Sequence, residues 1–337
     1  MSENIWLSVI IPAYNCSNTI ERLLNSICIQ NTANSEIIIV DDNSTDNFME
    51  KVEPYKEKLN IAYTKTKDRE MHCPGNTRLD GLNIAQGEWV TFIDNDDEFE
   101  PGVFEAMYRG IIQSGETRVM TSSFREVLPN GEYGLIIDNG TTWMHGKFYN
   151  RQFLKDTNIN FKENLYTHED LYFNSRIFAY LRSNDLNYTI LNMYTYRWNY
   201  NPDSLSRRFN QLEHSFIETY FKDYVFAGTE AWFESYKYHP EKLPFYFNQL
   251  CSVVLYCYFY YQSFLYSENP EKIIKSNLDI IKYLVYRICY TFDITKDSII
   301  ANVYSSPQSY RHIYNECISG NCDFIETISF KDFILNL

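Results

Sequence analysis

Apolar and polar positions follow two different periods in the first half of the chain, and each change of period marks an element. Leu7-Ser8-Val9-Ile10-Ile11-Pro12 is a short apolar run stopped by Pro12, which reads as a buried strand. Ala13-Tyr14-Asn15 turns into a segment with Ile20, Leu23, Leu24 and Ile27 at helical spacing, and Asn18 with Glu21 resembles a capping box. Residues 36–40 predict a second strand, ending in Asp41-Asp42-Asn43-Ser44-Thr45-Asp46, where Ser44 or Asp46 would cap the next helix. Residues 48–59 read as that helix, 61–64 as a third strand, and 76–86 as a helix closed by Gly87. A strand from Trp89 then runs abruptly into Asp94-Asn95-Asp96-Asp97. Continued strand alternation would send Asp94 and Asp96 to one side and Asn95 to the other.

Further along, residues 101–114 predict an amphipathic helix, 119–124 a strand, and Leu128-Pro129-Asn130-Gly131 a hairpin turn. Residues 147–154 and 171–181 look helical, with Thr167-His168-Glu169-Asp170 between them. Alternating strands and helices predict an α/β fold: a doubly wound, mainly parallel sheet with its functional loops on one edge. After about residue 212 the strands stop and long aromatic-rich helical segments take over. That change divides the chain into a catalytic-type region, 1–211, and a helical C-terminal region, 212–337.

In the second region Pro244 suits a first helical turn. Phe247, Leu250, Val254, Cys257 and Tyr261 then share one helix face, and Ile280, Ile281, Leu284 and Ile288 repeat the pattern. A helix lying on a membrane surface would carry Lys or Arg on its polar face, and residues 243–266 have neither. These helices are therefore expected to dock on the first region and form part of an acceptor wall, with homo-oligomer or peripheral membrane contact as the lesser alternatives.

The 337 residues suit one large or two modest domains, and 45% apolar content is ample for a core. Aromatic residues make up 17%, with Tyr 29 and Phe 23. The net charge of −14 argues against nucleic acid as a partner. Residues 1–7 have neither a basic nor a long apolar stretch, so no signal peptide is evident, and no apolar run has the length of a transmembrane helix. These features place the chain in the cytoplasm, or at the inner face of the membrane. The eight cysteines lack CxxC spacing and read as reduced, buried apolar residues.

Two carboxylate groups carry the chemistry. Asp94 and Asp96 at a strand's C-terminal end suit a hard divalent cation with positions left for phosphate oxygens. Glu169-Asp170 begins a helix, where such charges also complement the dipole.

The order and spacing of several blocks resemble the family 2 glycosyltransferases of the GT-A fold. The matching blocks are Ser8 to Asn15, Ile39 to Asp46, Arg78-Leu79-Asp80-Gly81-Leu82, Ala85 to Trp89, and Phe92 to Asp97, followed by Gly146-Lys147-Phe148-Tyr149 and Glu169-Asp170. The likeness covers residues 6 to about 210. By that resemblance, Pro12, Tyr14 and Asp42 wall a nucleoside pocket, with Asp42 accepting from a uracil N–H and Tyr14 beside the base. Arg78 would face the nucleotide or diphosphate, although Leu79 follows it where the family has Asn. Asp94 and Asp96 would hold Mn²⁺ or Mg²⁺ on the diphosphate, with Asp96 as the direct ligand. Asp97 would cap the following segment. Asp170 would be the general base, paired with Glu169, in an inverting transfer from a UDP-sugar. Arg197, Ser204, Ser206 and Arg207 correspond loosely to a loop that closes over the diphosphate. No His lies between His168 and His214 to serve as the metal ligand that some relatives supply there. The acceptor would be a glycan, free or linked to lipid or protein. A GT-A-like nucleotidyltransferase and a non-catalytic sugar-nucleotide scaffold are the competing readings.

Overall fold

The computed structural model describes residues 5–69, 71–137, 142–202, 204, 214–264, 270–305 and 329–337. Leu7–Ala13 forms β1, buried along its whole length. It runs parallel to β2 (Ser35–Asp41) on one side and to β4 (Trp89–Phe92) on the other. β3 (Ile61–Lys65) adds a further parallel strand beyond β2. A strand buried on both faces needs apolar residues on both, which explains the unbroken Val9-Ile10-Ile11 run. Val9 and Ile11 pack with Leu23, Leu24 and Ile27 of α1 (Ile20–Cys28), while Ile10 packs with Leu79 and Leu82 of α3 (Pro74–Ile84).

The sheet continues as β4-β8-β6-β9-β5, with β7 pairing β6 off this path. Here β5 is Glu98–Phe99, β6 Val119–Val127, β7 Tyr133–Ile137, β8 Lys147–Asn150 and β9 Thr189–Asn199. Strands β8, β7 and β5 run against the other six. Helices α2 (Phe48–Val52), α4 (Val103–Ser114), α5 (Arg151–Asp156) and α6 (Glu169–Ser183) complete the two covering layers.

Several sequence expectations need correction. The helix after β2 keeps only five residues, because Pro54 ends it in a 3₁₀ turn. Neither Ser44 nor Asp46 caps it: they accept from the backbone N–H of Asn15 and Ser17 and tie two loops together. Asn18 does not cap α1, whose N-cap is Thr19 without a side-chain bond. Residues 147–150 are strand rather than helix, since Phe148 and Tyr149 fill the sheet between β4 and β6. The eleven-residue β9 has no clean alternation and escaped the sequence reading altogether.

Gly87 also plays another role than helix closure. A Cβ there would sit 2.5 Å from the Ser8 N and 2.7 Å from the Leu7 carbonyl carbon. Its bare backbone lets the chain entering β4 approach β1. Beside it, the buried Glu36 carboxylate accepts from the Ser8 hydroxyl (2.5 Å), Gln86 N (2.7 Å) and Gly87 N (3.3 Å).

The chain divides into two compact units, Met1–Arg208 and Phe209–Leu337. The second is helical: α7 (His214–Tyr238), α8 (Leu243–Phe264), α9 (Pro270–Phe292), α10 (Lys296–Ser305) and α11 (Phe330–Asn336). Its own core gathers Leu250, Val254 and Cys257 of α8 with Ile281, Leu284 and Ile288 of α9, with Phe247 and Tyr261 packed at its edge. The apolar stripes thus face one another. No described helix is long and apolar enough to cross a membrane.

Replacing Gly87 with Ala forces backbone apart where no flexible side chain can yield. The variant should lose roughly 1–3 kcal/mol, the usual cost of overpacking, read as a lowered urea midpoint. An unchanged midpoint would show that β1 and the loop before β4 are not held as closely as described.

Candidate active site

Parallel strands β1, β2 and β4 end side by side, so the loops that follow them meet at one sheet edge. After β1 comes Tyr14, exposed, and after β2 comes Asp42, whose backbone N donates to the Ala13 carbonyl at 2.8 Å. Asn15 accepts through its side chain from Thr45 N (2.8 Å) and clamps the two loops. Pro12, buried in β1, accepts through its carbonyl from the Asn95 side chain at 2.9 Å. Pro12, Tyr14 and Asp42 thus lie on adjoining loops and strand ends, with Pro12 buried and Tyr14 exposed. His72 adds to it, with Nδ1 2.7 Å from the Asp42 carboxylate. A lone His in a polar stretch gave no sequence signal.

The acidic turn departs from the expected geometry. The chain leaves the strand at Phe92 and turns, with Asp97 N donating to the Asp94 carbonyl at 3.1 Å. Strand alternation no longer applies, and the carboxylates of Asp94 and Asp96 have separate partners. Asp94 accepts from Arg78 Nη2 at 2.5 Å, and Asp96 accepts from Asn201 Nδ2 at 2.7 Å. Asp97 does not cap the next segment. It is buried, accepting from the Tyr196 hydroxyl at 2.6 Å and from Asn199 N at 2.8 Å, both on β9.

Arg78 joins the two carboxylate groups that the sequence keeps apart. Its Nη1 donates to Glu169 at 2.5 Å while Nη2 holds Asp94. The planar fork aims a separate nitrogen at each carboxylate in a fixed geometry, whereas an ammonium is a single point of charge. Helix α3 carries Arg78 and α6 begins at Glu169, and a Cβ on Gly75 would lie 2.9 Å from the Glu169 Cβ. Gly75 thus lets the two helices meet closely enough for the bridge to form.

Charge in this site is unequally tuned. Burial raises and Arg78 lowers the pKa of Asp94, and the arginine wins, leaving it below the usual carboxylate value. Burial and the neighbouring Asp94 charge push Asp96 up, and burial with both neighbours pushes Asp97 well up. Asp170 is raised to about 7 by burial and by Glu169 beside it. Lys147, buried on β8, falls to about 7 because burial disfavours its charge, against the pull of Asp170. Its Nζ donates to the carbonyls of Trp143 and His145.

His145 enters the site from the loop before β8, ahead of the region where the resemblance seeks a histidine. Asp94, Asp97 and His145 offer ligand atoms within 4.8 Å of one another. Burial holds the imidazole neutral, with a pKa of about 3. Its Nδ1 has no hydrogen-bond partner, and its ring lies against Trp143 and Trp198. Two carboxylates and a neutral imidazole suit Mn²⁺ or Mg²⁺, so the residues fit the cation. Asp96 lies on the same turn but outside this group of three.

Arg197, on β9, donates to Glu100 at 2.8 Å. Arg207 and Ser206 lie outside the described residues. In the variant Arg78→Met, Glu169 and Asp94 would face each other without their counter-charge. Breaking a buried pair costs roughly 3–5 kcal/mol, and the lower end applies because the Asp94 side chain is 33% exposed. Chemical denaturation should show that loss, with Arg78→Lys recovering only part of it. A fully stable Arg78→Met protein would contradict the bridge.

Residues 8–167 match the family described as Glycosyl transferase family 2. Poly(ribitol-phosphate) beta-N-acetylglucosaminyltransferase TarS of Staphylococcus aureus (strain MW2) is 33% identical over 195 residues, 52% of this chain and 33% of that protein. The poly(ribitol-phosphate) beta-glucosyltransferase of Bacillus spizizenii is 28% identical over 196 residues, 52% of this chain and 30% of that one. The matched stretch thus spans about a third of these curated relatives. The fold is similar to the crystal structure of S. aureus TarS 1-349 in complex with UDP-GlcNAc. That similarity has a TM-score of 0.65 at 19% identity and covers 96% of this chain and 95% of the other. At such identity the likeness speaks for architecture alone, here the α/β GT-A fold with a helical C-terminal region. The family match makes residues 8–167 a family 2 glycosyltransferase domain, within an architecture similar to that of TarS 1-349.

Proposed function

We propose that the protein is an inverting glycosyltransferase that moves a sugar from a UDP-sugar to a hydroxyl of a glycan-type acceptor. One observation carries this reading: Arg78 ties Asp94, at the donor edge, to Glu169, next to Asp170. A donor-side carboxylate and a base are needed together in glycosyl transfer. A nucleotidyltransferase, by contrast, has no use for the Glu169-Asp170 pair. The relatives named as transferring N-acetylglucosamine or glucose to poly(ribitol phosphate) support the same class.

In this reading the loops after β1 and β2 bind the nucleoside, with Asp42 toward the base and Tyr14 flanking it. Asp94, Asp97 and His145 would hold the divalent cation, with Asp96 on the same turn. A bound cation would neutralise charge on the leaving diphosphate. Asp170 takes the proton of the attacking hydroxyl as the sugar carbon is approached opposite the diphosphate. That direction of attack inverts the anomeric centre. Because Asp170 titrates near 7, it is ionised above that pH and still basic enough to accept a proton. Glu169, held by Arg78, lies beside it.

The test is a panel of nucleotide-sugars with Mn²⁺ and EDTA arms, reading released nucleotide and product configuration. A retained configuration, or nucleotide transfer in place of sugar transfer, would replace the proposal. No turnover with any donor would favour a scaffold.

Asp170→Asn keeps the shape of the base but cannot take the proton, so kcat should fall roughly 10²–10⁴-fold with UDP affinity nearly kept. In the parent protein kcat/KM should climb with pH through about 7, since only the ionised carboxylate works. Loss of UDP binding in the variant would move Asp170 to the donor pocket.

Asp94→Asn should abolish Mn²⁺ binding measured by electron paramagnetic resonance and lower turnover by orders of magnitude. Asp96→Asn and Asp97→Asn then tell which neighbour joins it. Full activity of the parent in EDTA would remove the cation from the proposal.

A further inference from the structure

One face of α9 is tyrosine. Tyr283, Tyr286 and Tyr290 recur at helical spacing on the side opposite the buried Ile281, Leu284 and Ile288. They are 64%, 65% and 77% exposed, so large apolar rings are held in water. The Tyr286 and Tyr290 rings lie nearly parallel, 17° apart, with centroids at 6.0 Å. Such a ridge adds nothing to the helical core.

Grooves run along both sides of it. One is lined by Lys282, Val285, Tyr286, Cys289, Ile294, Thr295, Lys296 and Leu337. The other is lined by Phe233, Tyr236, Lys237, Pro240, Arg287 and Thr291. No acidic side chain lines either groove. Lys237, Lys282 and Lys296 have no ion-pair partner among the described residues, while Arg287 is paired to Glu230. Asp279 and Asp293 are exposed beyond the two ends of the tyrosine series. In a chain of net charge −14, this is an aromatic ridge with cations along its sides.

We propose that the Tyr283, Tyr286 and Tyr290 ridge and its lysine-lined grooves bind an anionic glycan chain. Sugar rings present apolar C–H faces that lie flat on tyrosine, and the phenol hydroxyls hydrogen-bond their edges. The lysines complement acidic groups on the chain at either side. A second copy of this protein is a poorer occupant, because two bodies of charge −14 repel. The ligand class rests on the glycan-acceptor reading above. Binding is measured without donor, so its failure would leave that reading standing.

The experiment is titration calorimetry on the full chain with three probes. Oligogalacturonate has sugar rings and charge, maltooligosaccharide has rings alone, and polyphosphate has charge alone. Oligogalacturonate should bind more tightly than either of the others. Tyr286→Ala with Tyr290→Ala should weaken it roughly tenfold or more, the order expected for lost aromatic contacts. Lys282→Gln with Lys296→Gln should weaken it and flatten its salt dependence. All four side chains are at the surface or groove rim, and unchanged melting temperature and donor hydrolysis would confirm intact variants. The proposal is overturned by no binding of oligogalacturonate, by equal binding of either control probe, or by tyrosine variants that bind as well as the parent. A concentration-dependent dimer dissolved by the tyrosine variants would assign the ridge to a second copy instead.

Discussion

A guanidinium buried in a protein needs carboxylates at both ends of its fork, and around Arg78 that requirement organises the first unit. Helix α3 must bring Arg78 inward beneath the end of β4, and α6 must begin where Glu169 can reach it. The close approach at Gly75 follows from the same need. Because both ends of the fork are used, a shift at Asp94 is felt at Glu169, and hence beside Asp170. The turn bearing Asp94 and the helix start bearing Glu169 and Asp170 are thereby one electrostatic assembly.

That assembly holds more acid than one arginine can balance. Asp94 is kept ionised, while Asp96, Asp97 and Asp170 are all raised, each first by burial and then by a neighbouring carboxylate. Environments that push like groups apart in pKa are how one site obtains both an ionised ligand and a proton acceptor near neutrality. The surplus negative charge is also what a divalent cation would neutralise. His145 and Lys147 carry little of that burden, since burial disfavours the charged form of both. Lys147 instead secures the segment bearing His145 through two backbone carbonyls.

The second unit answers a different constraint. Its aromatic surplus is partly consumed in its own core, where Tyr246, Tyr258 and Phe259 are fully buried. Part of what the core does not absorb lies on one face of α9, with Tyr238 and Tyr304 exposed elsewhere. Isolated exposed rings are ordinary, whereas three at helical spacing form a contiguous exposed patch.

Periodicity by itself determined the elements whose two faces both have apolar work to do. The strands β1, β2 and β4, the helix α1 and the stripes on α8 and α9 are legible because burial on a fixed face demands a fixed spacing. The positions of Asp94 and the Glu169-Asp170 pair at a strand end and a helix start were legible for a related reason, while the role expected of Asp42 came from the family resemblance. The tertiary structure decided what those residues face. β9 alternates poorly because its two faces meet different neighbours along its length, so it left no pattern, and Tyr196 and Asn199 went unseen with it. The turn after Phe92 separated Asp96 from Asp94 through hydrogen bonds to β9 and Asn201, partners more than ninety residues away. His145 and Lys147 acquired their neutral tendency chiefly from burial, which sequence spacing cannot measure. The pairing of Arg78 with Glu169 spans 91 positions, and only the packing of α3 against α6 brings the two charges within reach.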